Sequence, residues 1–471
     1  MTLPSLWEGR HPGQATIQTT PTGAWDVVVV GGGLTGLTTA LLLGRAGSRV
    51  LLLEAGRLGG GTTGRSTAKL SLLQGTLLSR IRRRHGAEVV REYVEGHRTA
   101  QAWVARFCEE HRVATQSRPA YTYANGASGL RAARAELHAT QEAGLPVTWT
   151  EDPPLPFPTA GAVRLDDQLQ LDPLELVAAL ASQATHHGVT ITEQQRLRRV
   201  RGRGPYRLTV GSVEDAVTAG RVVLATNLPV LDRGGFFARM SPERSYSLAF
   251  RTPAPAVDGM YLSADQPSRS LRDAPTGTQD GSVLLVGGNG HVTGRSTPTS
   301  RRLAELRAWT HEHFPDAEET HAWSAQDYAP AHALPYAGPL VPGQDGLLVA
   351  GGFSKWGMTG GVAAALAVTA QILGEDDQPR WARAWRPWGR AEITGLPGTA
   401  LLNGEVAVEM ARGWVRPAHR SGTGPGICTH LGGRLVWNDA ERSWDCPLHG
   451  SRFDEDGDVL EGPAVCPLRR L

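Results

Sequence analysis

Trp25-Asp26-Val27-Val28-Val29-Val30 is an apolar, β-branched run that stops at Gly31-Gly32-Gly33-Leu34-Thr35-Gly36. A helical pattern of Leu37, Ala40, Leu41 and Leu43 follows and closes at Gly47, and a second strand, Val50 to Leu53, ends in Glu54. Strand, glycine turn, helix, strand and terminal acid in this order dictate the start of a Rossmann-like α/β fold. Gly31 allows the tight turn, Gly33 lets the backbone approach a pyrophosphate, and Gly36 lets helix and strand pack closely. Leu34 and Thr35 open the helix, whose N-terminus favours phosphate charge, and Glu54 can accept from ribose hydroxyls. A dinucleotide binds at this loop.

A second constellation reads Cys428-Thr429-His430 and Cys446-Pro447-Leu448-His449, with fifteen residues between the two groups. Two soft thiolates for one iron and two imidazoles for the other are the ligands of a 2Fe–2S cluster of Rieske type. Structural zinc is the alternative use of two Cys and two His. Zinc modules space their paired ligands more widely and give no role to glycines and prolines around them. Here Gly432, Gly433, Pro447 and Gly450 suit two tight loops folding over a cluster, and Arg452-Phe453, Gly457 and Gly462-Pro463-Ala464 follow. From about Leu401 onward the chain resembles the Rieske family.

The 471 residues leave room for two or three domains. A net charge of +2 gives no electrostatic ground for nucleic acid or a membrane surface as partner. No basic N-terminal region runs into an apolar stretch, so no signal peptide is expected. The longest apolar stretch, Val362 to Leu373, is too short to span a bilayer. Cys108 falls on an amphipathic helical pattern with Trp103, Val104 and Phe107, and Cys466 has no evident partner. This is no disulfide framework, and a cytoplasmic location is expected.

Three further stretches separate FAD from NAD. Gly60-Gly61-Thr62-Thr63-Gly64-Arg65-Ser66-Thr67-Ala68-Lys69, Val222-Val223-Leu224-Ala225-Thr226-Asn227 and Gly351-Gly352-Phe353-Ser354-Lys355-Trp356-Gly357-Met358-Thr359-Gly360-Gly361 follow one another in that order. Together they resemble the D-amino-acid-oxidase-like flavoprotein family over about Trp25 to Trp385. The resemblance implies FAD, contacted by Thr63, Gly64 and Thr67, by Ala225 and Thr226, and by Gly352, Trp356, Gly357, Met358 and Thr359. It implies a mixed α/β fold in which the FAD-binding domain is interleaved with a β-sheet substrate domain, followed by a small all-β cluster domain. The expected boundaries are 24–388 for the flavoprotein part, with substrate segments at about 80–150 and 230–320, a linker at 389–400 and the cluster domain at 401–471.

A second glycine run, Gly287-Gly288-Asn289-Gly290, follows the strand pattern that begins at Gly281, but Arg295 to Pro298 separates it from the helix starting near Ser300. Without an adjoining helix N-terminus it makes no second nucleotide site. Helices are expected over Glu88–His111 and Arg131–Gly144 and after the Asp172-Pro173 cap. A strand is expected over Ser245–Arg251. Trp381, Trp385 and Trp388 read as anchors packing one domain on another rather than as an electron path.

In flavoproteins of this family, hydride leaves the carbon beside an amine nitrogen and water hydrolyses the resulting imine. Relatives hold the substrate carboxylate with a basic group, for which Lys355, Arg244 and Arg251 are candidates, and Tyr246 could supply a hydroxyl. His332 stands where relatives commonly have Asp. No Cys or His occurs from Gly59 to Ser71 or at position 326, so the flavin is expected to be non-covalent. The cluster implies electron exit to a one-electron acceptor such as a ferredoxin or an oxygenase. Gly433 and Leu448 stand where respiratory Rieske members carry a disulfide, and Phe453 where they carry a sulfur-bonding Tyr, while Ser451 is kept. These departures imply a lower potential. The leading expectation is an amine or amino-acid dehydrogenase. A reductase component feeding an oxygenase and a redox sensor without turnover are the alternatives.

Overall fold

The computed structural model describes residues 4–11, 21–274, 282–374, 378–415 and 426–468. One sheet runs in the spatial order Tyr336–Pro339, Leu347–Gly351, Val213–Leu224, Gly23–Val30, Val50–Leu53, Thr190–Thr192. From Leu347–Gly351 to Thr190–Thr192 every neighbouring pair is parallel. Val27 to Val30 are buried, as a strand covered on both faces requires. The strand ends are flush: Val30 stands opposite both Leu53 and Leu224, and Leu224 opposite Val349. The turns at Gly31, Glu54, Ala225 and Gly352 therefore open on one crevice at the carboxyl ends of the strands.

A nine-stranded sheet is built from segments that leave and re-enter this layer, in the order Glu318–Pro330, Met240–Thr252, Ser282–Val292, Arg269–Ala274, Met260–Ser263, Thr115–Tyr123, Ala162–Leu171, Lys69–Leu70, with Thr148–Thr150 paired to Ala162–Leu171. The sheet thus reaches beyond the expected 80–150 and 230–320, to Leu171 and Pro330. Gly287 and Gly288 stay within the strand ladder, opposite Ser247 and Tyr246. They make no phosphate turn; Gly281 lies outside the described residues. Helices form over Ala87–His111, Ala127–Glu142 and Pro173–His186, the last capped by Asp172, whose carboxylate accepts from the Leu174 N–H at 2.9 Å.

The helix Ala87–His111 departs from the expected division. Its Val90, Tyr93 and Val94 share a core with Val362, Ala363 and Trp381, so it packs on the dinucleotide-binding layer. Trp381 and Trp385 lie on its Gly96, where a Cβ would meet the Trp381 ring at 2.9 Å. These two tryptophans anchor within the flavoprotein part, and Trp388 lies under the Arg239 guanidinium, 3.9 Å from ring centroid to Cζ.

Residues read as a linker up to 400, followed by the cluster domain from 401, form instead one helix, Arg390–Val415, with Pro397 inside it. Gly395, Pro397 and Gly398 lower helix propensity, which is why the segment reads as a linker. Packing overrides that preference. A Cβ at Gly395 would stand 3.0 Å from His332 Cβ, and one at Gly398 3.1 Å from the Ala331 carbonyl, so the small residues seat the helix on the flavoprotein. Further along, its Val406 and Met410 pack on the cluster-domain core. That domain is a four-stranded sheet, Val436–Asn438, Ser443–Asp445, Arg452–Phe453 and Val459–Glu461. No helix among the described residues is long and apolar enough to cross a membrane.

Candidate active site

The crevice is a cleft of about 500 Å³. Of the residues expected to touch FAD, Gly31, Gly33, Leu34, Thr35, Glu54, Thr63, Ala225, Thr226, Gly357 and Met358 line it. Gly36, Gly64, Thr67, Gly352, Trp356 and Thr359 do not line it. Gly31 has φ +109, and a Cβ there would lie 2.5 Å from the Ala225 carbonyl oxygen. A Cβ on Gly36 would lie 1.8 Å from the Gly31 carbonyl oxygen. The Leu34 N–H donates to Thr63 Oγ1 at 3.1 Å, joining the first loop to the second. Glu54 accepts from the Gly32 and Gly56 N–H groups, each at 2.6 Å, and burial pushes its carboxyl up despite them. Each oxygen keeps a lone pair for a ribose hydroxyl. Glycines open to the cleft and the N-terminus of the helix Gly357–Leu373 at its far end fit an extended dinucleotide.

Asp327, on the strand Glu318–Pro330, joins the remaining loops. It accepts from Asn227 Nδ2 at 2.8 Å and from the backbone N–H groups of Tyr328 and Lys355. Burial raises its carboxyl while these donors oppose the rise. Lys355 lines the cleft with its Nζ 3.3 Å from Glu243 Oε2.

In the small domain the Cys428 and Cys446 thiols are buried beside one another, without a disulfide. The His430 and His449 rings stand 5.3 Å apart. Backbone N–H groups of His430 and Leu431 and the Ser451 hydroxyl bond to the Cys428 sulfur, and those of Leu448 and His449 to Cys446. His449 Nδ1 is buried with no hydrogen-bond partner. Burial, with His430 and Arg295 near, lowers His449 to about 4, keeping the imidazole neutral as a metal ligand must be. Two thiols, two imidazoles and an orphaned ring nitrogen fit a 2Fe–2S cluster. Phe453 lies fully buried in the same core and has no hydroxyl to offer.

The model of the FAD dependent oxidoreductase family matches residues 26–371, and that of the Rieske 2Fe–2S domain matches residues 421–471. The chain belongs to the FAD dependent oxidoreductase family. It is an FAD-dependent oxidoreductase that also carries a Rieske 2Fe–2S domain. It is 30% identical over 478 aligned residues to a putative Rieske 2Fe-2S iron-sulfur protein, YhfW, of Bacillus subtilis, covering 95% of this chain and 93% of that one. It is 35% identical over 138 residues to the chloroplastic iron-sulfur subunit of the cytochrome b6-f complex of Triticum aestivum, covering 29% of this chain and 55% of that one. The fold resembles glycine oxidase from Geobacillus kaustophilus, with a TM-score of 0.62 at 19% identity over 76% of this chain and 96% of the other.

The two family domains meet at the cleft. Arg452, Val459, Leu460, Glu461 and Gly462 of the Rieske domain line it beside the FAD loops. Arg244 spans the seam: its Nη1 lies 2.9 Å from Glu441 Oε2 and its Nη2 2.8 Å from Glu461 Oε2, with the side chain fully buried. Arg452 pairs with Glu441 and, through Nε at 3.0 Å, with Asp445. Gln326 Nε2 donates to the Gly450 carbonyl at 2.8 Å, and the Tyr328 hydroxyl to those of Gly462 at 3.0 Å and His449 at 3.3 Å.

This geometry corrects three sequence expectations. Arg244 is consumed by the seam and is no carboxylate binder. Tyr246 shares a strand face with Arg244, Leu248 and Phe250; it is buried, its hydroxyl 3.1 Å from His291 Nε2, and it does not line the cleft. His332 is buried under the helix Arg390–Val415, its Nδ1 accepting from the Leu334 N–H at 3.1 Å. Burial, with His85 and Arg239 near, lowers it to about 3, so it is a neutral structural acceptor. Arg251 is exposed and lies 3.9 Å from Glu318.

Proposed function

We propose that this protein oxidises a small amine or amino acid by hydride transfer to FAD, and that the two electrons leave singly through the 2Fe–2S cluster to an external one-electron acceptor such as a ferredoxin. FAD supplies the hydride acceptor and the cluster a one-electron store. One observation carries the reading: Tyr328 lines the FAD cleft and its hydroxyl bonds to the carbonyl of the ligand residue His449. Cleft and cluster loop are thus neighbours through a single side chain. The fold likeness to a glycine oxidase supports the substrate class.

Lys355 is the residue that would bind a substrate carboxylate, since it lines the cleft and its Glu243 partner is half exposed. Asp327 holds the backbone of that lysine in place. The N-terminus of the helix Gly357–Leu373 favours negative charge at the same end of the cleft. FAD is held without a covalent bond, because no Cys or His lines the cleft among the described residues. Acid precipitation is expected to release the yellow colour into the supernatant.

Anaerobic stopped-flow mixing with a panel of amines and amino acids tests the route. A competent substrate bleaches the flavin first and the cluster afterwards. Rapid flavin reduction by NADPH with every amine inert would replace this reading by a reductase component. A cluster that stays oxidised during turnover would refute the exit route.

A further inference from the structure

Once Nδ1 of each ligand histidine is given to iron, the outer nitrogens Nε2 need partners, and the structure shows what stands there. Both rings are turned into the flavoprotein domain: the His430 side chain is 4% exposed and His449 5%. Phe237 meets both edge-on, with centroids 5.1 Å from His430 and 4.9 Å from His449. His430 Nε2 lies 2.7 Å from Asp232 Oδ1. With Nδ1 committed to iron, Nε2 carries the ring proton and donates it to the carboxylate. Asp232 belongs to the loop between the strands Val213–Leu224 and Met240–Thr252, whose residues 225–228 and 230 line the FAD cleft.

We propose that Asp232 is a positioning residue for the cluster. A carboxylate of the flavoprotein domain reaches across the seam, fixes the His430 ring and lowers the cluster's midpoint potential in the docked protein. A carboxylate on the far nitrogen of a ligand histidine orients the ring and makes it a stronger electron donor to the metal. Its negative charge also opposes the entry of one more electron into the centre. Phe237 keeps water from the inner side of the pair, which preserves the interaction there. The Asp232 side chain is 59% exposed, so solvent screens much of the charge and the shift is moderate. The cluster thus has the potential it needs beside FAD only when its histidine edge is seated. The purpose given to that potential rests on the electron route proposed above, whereas the shift itself does not.

The test is a redox titration of the full-length holoprotein with dithionite, each cluster taking up one electron, read by EPR of the reduced cluster. Wild type is compared with Asp232→Asn, Asp232→Glu and Asp456→Asn. Asp456 is an exposed acid of the Rieske domain, so its change removes the same charge without touching a ligand. Asp232→Asn is expected to raise the midpoint potential and shift the g-values, with signals normalised to the iron present and FAD content unchanged. Asp232→Glu brings the potential back towards wild type, and Asp456→Asn leaves it in place. An unshifted potential in Asp232→Asn, or an equal rise in Asp456→Asn, overturns the proposal. A cluster that takes no electrons from FAD would sink the route and leave this shift standing.

Discussion

On the flavoprotein side the dinucleotide cleft is walled largely by main chain, at Gly31, Gly33, Gly59, Gly60 and Gly61. On the Rieske side it is walled by side chains, among them Arg452 and Glu461, which belong to a buried ionic network with Arg244 and Glu441. The first wall tolerates no added atom at Gly31, nor does the helix behind it at Gly36, because a Cβ at either would collide with a backbone carbonyl. The second tolerates no lost charge, because each largely buried ion is offset by its partners. One wall is held by exclusion and the other by pairing, and they should break differently.

The hardest break is expected at the first wall. Gly36→Ala places a methyl 1.8 Å from the Gly31 carbonyl oxygen, so the helix must leave the strand. A loss of more than about 4 kcal/mol is expected, read as apo-protein or insoluble chain. Normal FAD content in this variant would refute the wall by exclusion. At the second wall, Glu441→Gln removes the buried carboxylate that Arg244 and Arg452 share and leaves them only the partly exposed Glu461 in common, at a cost of about 3–5 kcal/mol to docking. FAD absorbance should persist at reduced affinity while thermal unfolding splits into two transitions.

The same carboxylate predicts an acid limit. Burial alone would raise Glu441, but Arg452 and Arg244 hold it down at about 2. Its folded value lies below the unfolded one of roughly 4.3, so its contribution is complete above that value and is lost as pH falls towards 2. Acid titration of wild type should separate the domains in this window, and Glu441→Gln should remove the transition. A gentler probe is Tyr328→Phe, which deletes the hydroxyl bonded to the Gly462 and His449 carbonyls. About 1–2 kcal/mol of seam stability should go, measured by chemical denaturation. The smallest effect is expected in the cluster core behind the second wall: Phe453→Tyr should raise the cluster midpoint potential in a redox titration, because a hydroxyl near a ligand sulfur stabilises the reduced state. A fall would contradict that account.

The same contrast governs what could be read from the sequence. Exclusion leaves local marks. Gly31, Gly33 and Gly36 announce their turn within six residues, and the Cys and His ligands announce theirs within four. Pairing leaves none, since Arg244 and Glu441 are 197 residues apart and nothing near either names the other. Arg244 was therefore open to misreading as a substrate ligand, and Asp232 gave no signal at all. His332 misled for a related reason. Its role depends on a helix whose glycines and proline disguise it as a linker, so its burial is invisible until that helix is in place. Tyr246 shares its strand face with Arg244, and the seam rather than the strand pattern decides which way that face looks.

The shared cleft has a consequence for assembly. Residues 452 and 459–462 follow every FAD loop in chain order, so a growing chain completes the dinucleotide loops before the last wall exists. During that interval the cleft is open along one side and a large cofactor can enter from it. The Rieske residues add their side of the cleft only once that last domain has folded and docked. Seating of the cluster domain therefore completes a cleft that the flavoprotein loops already outline.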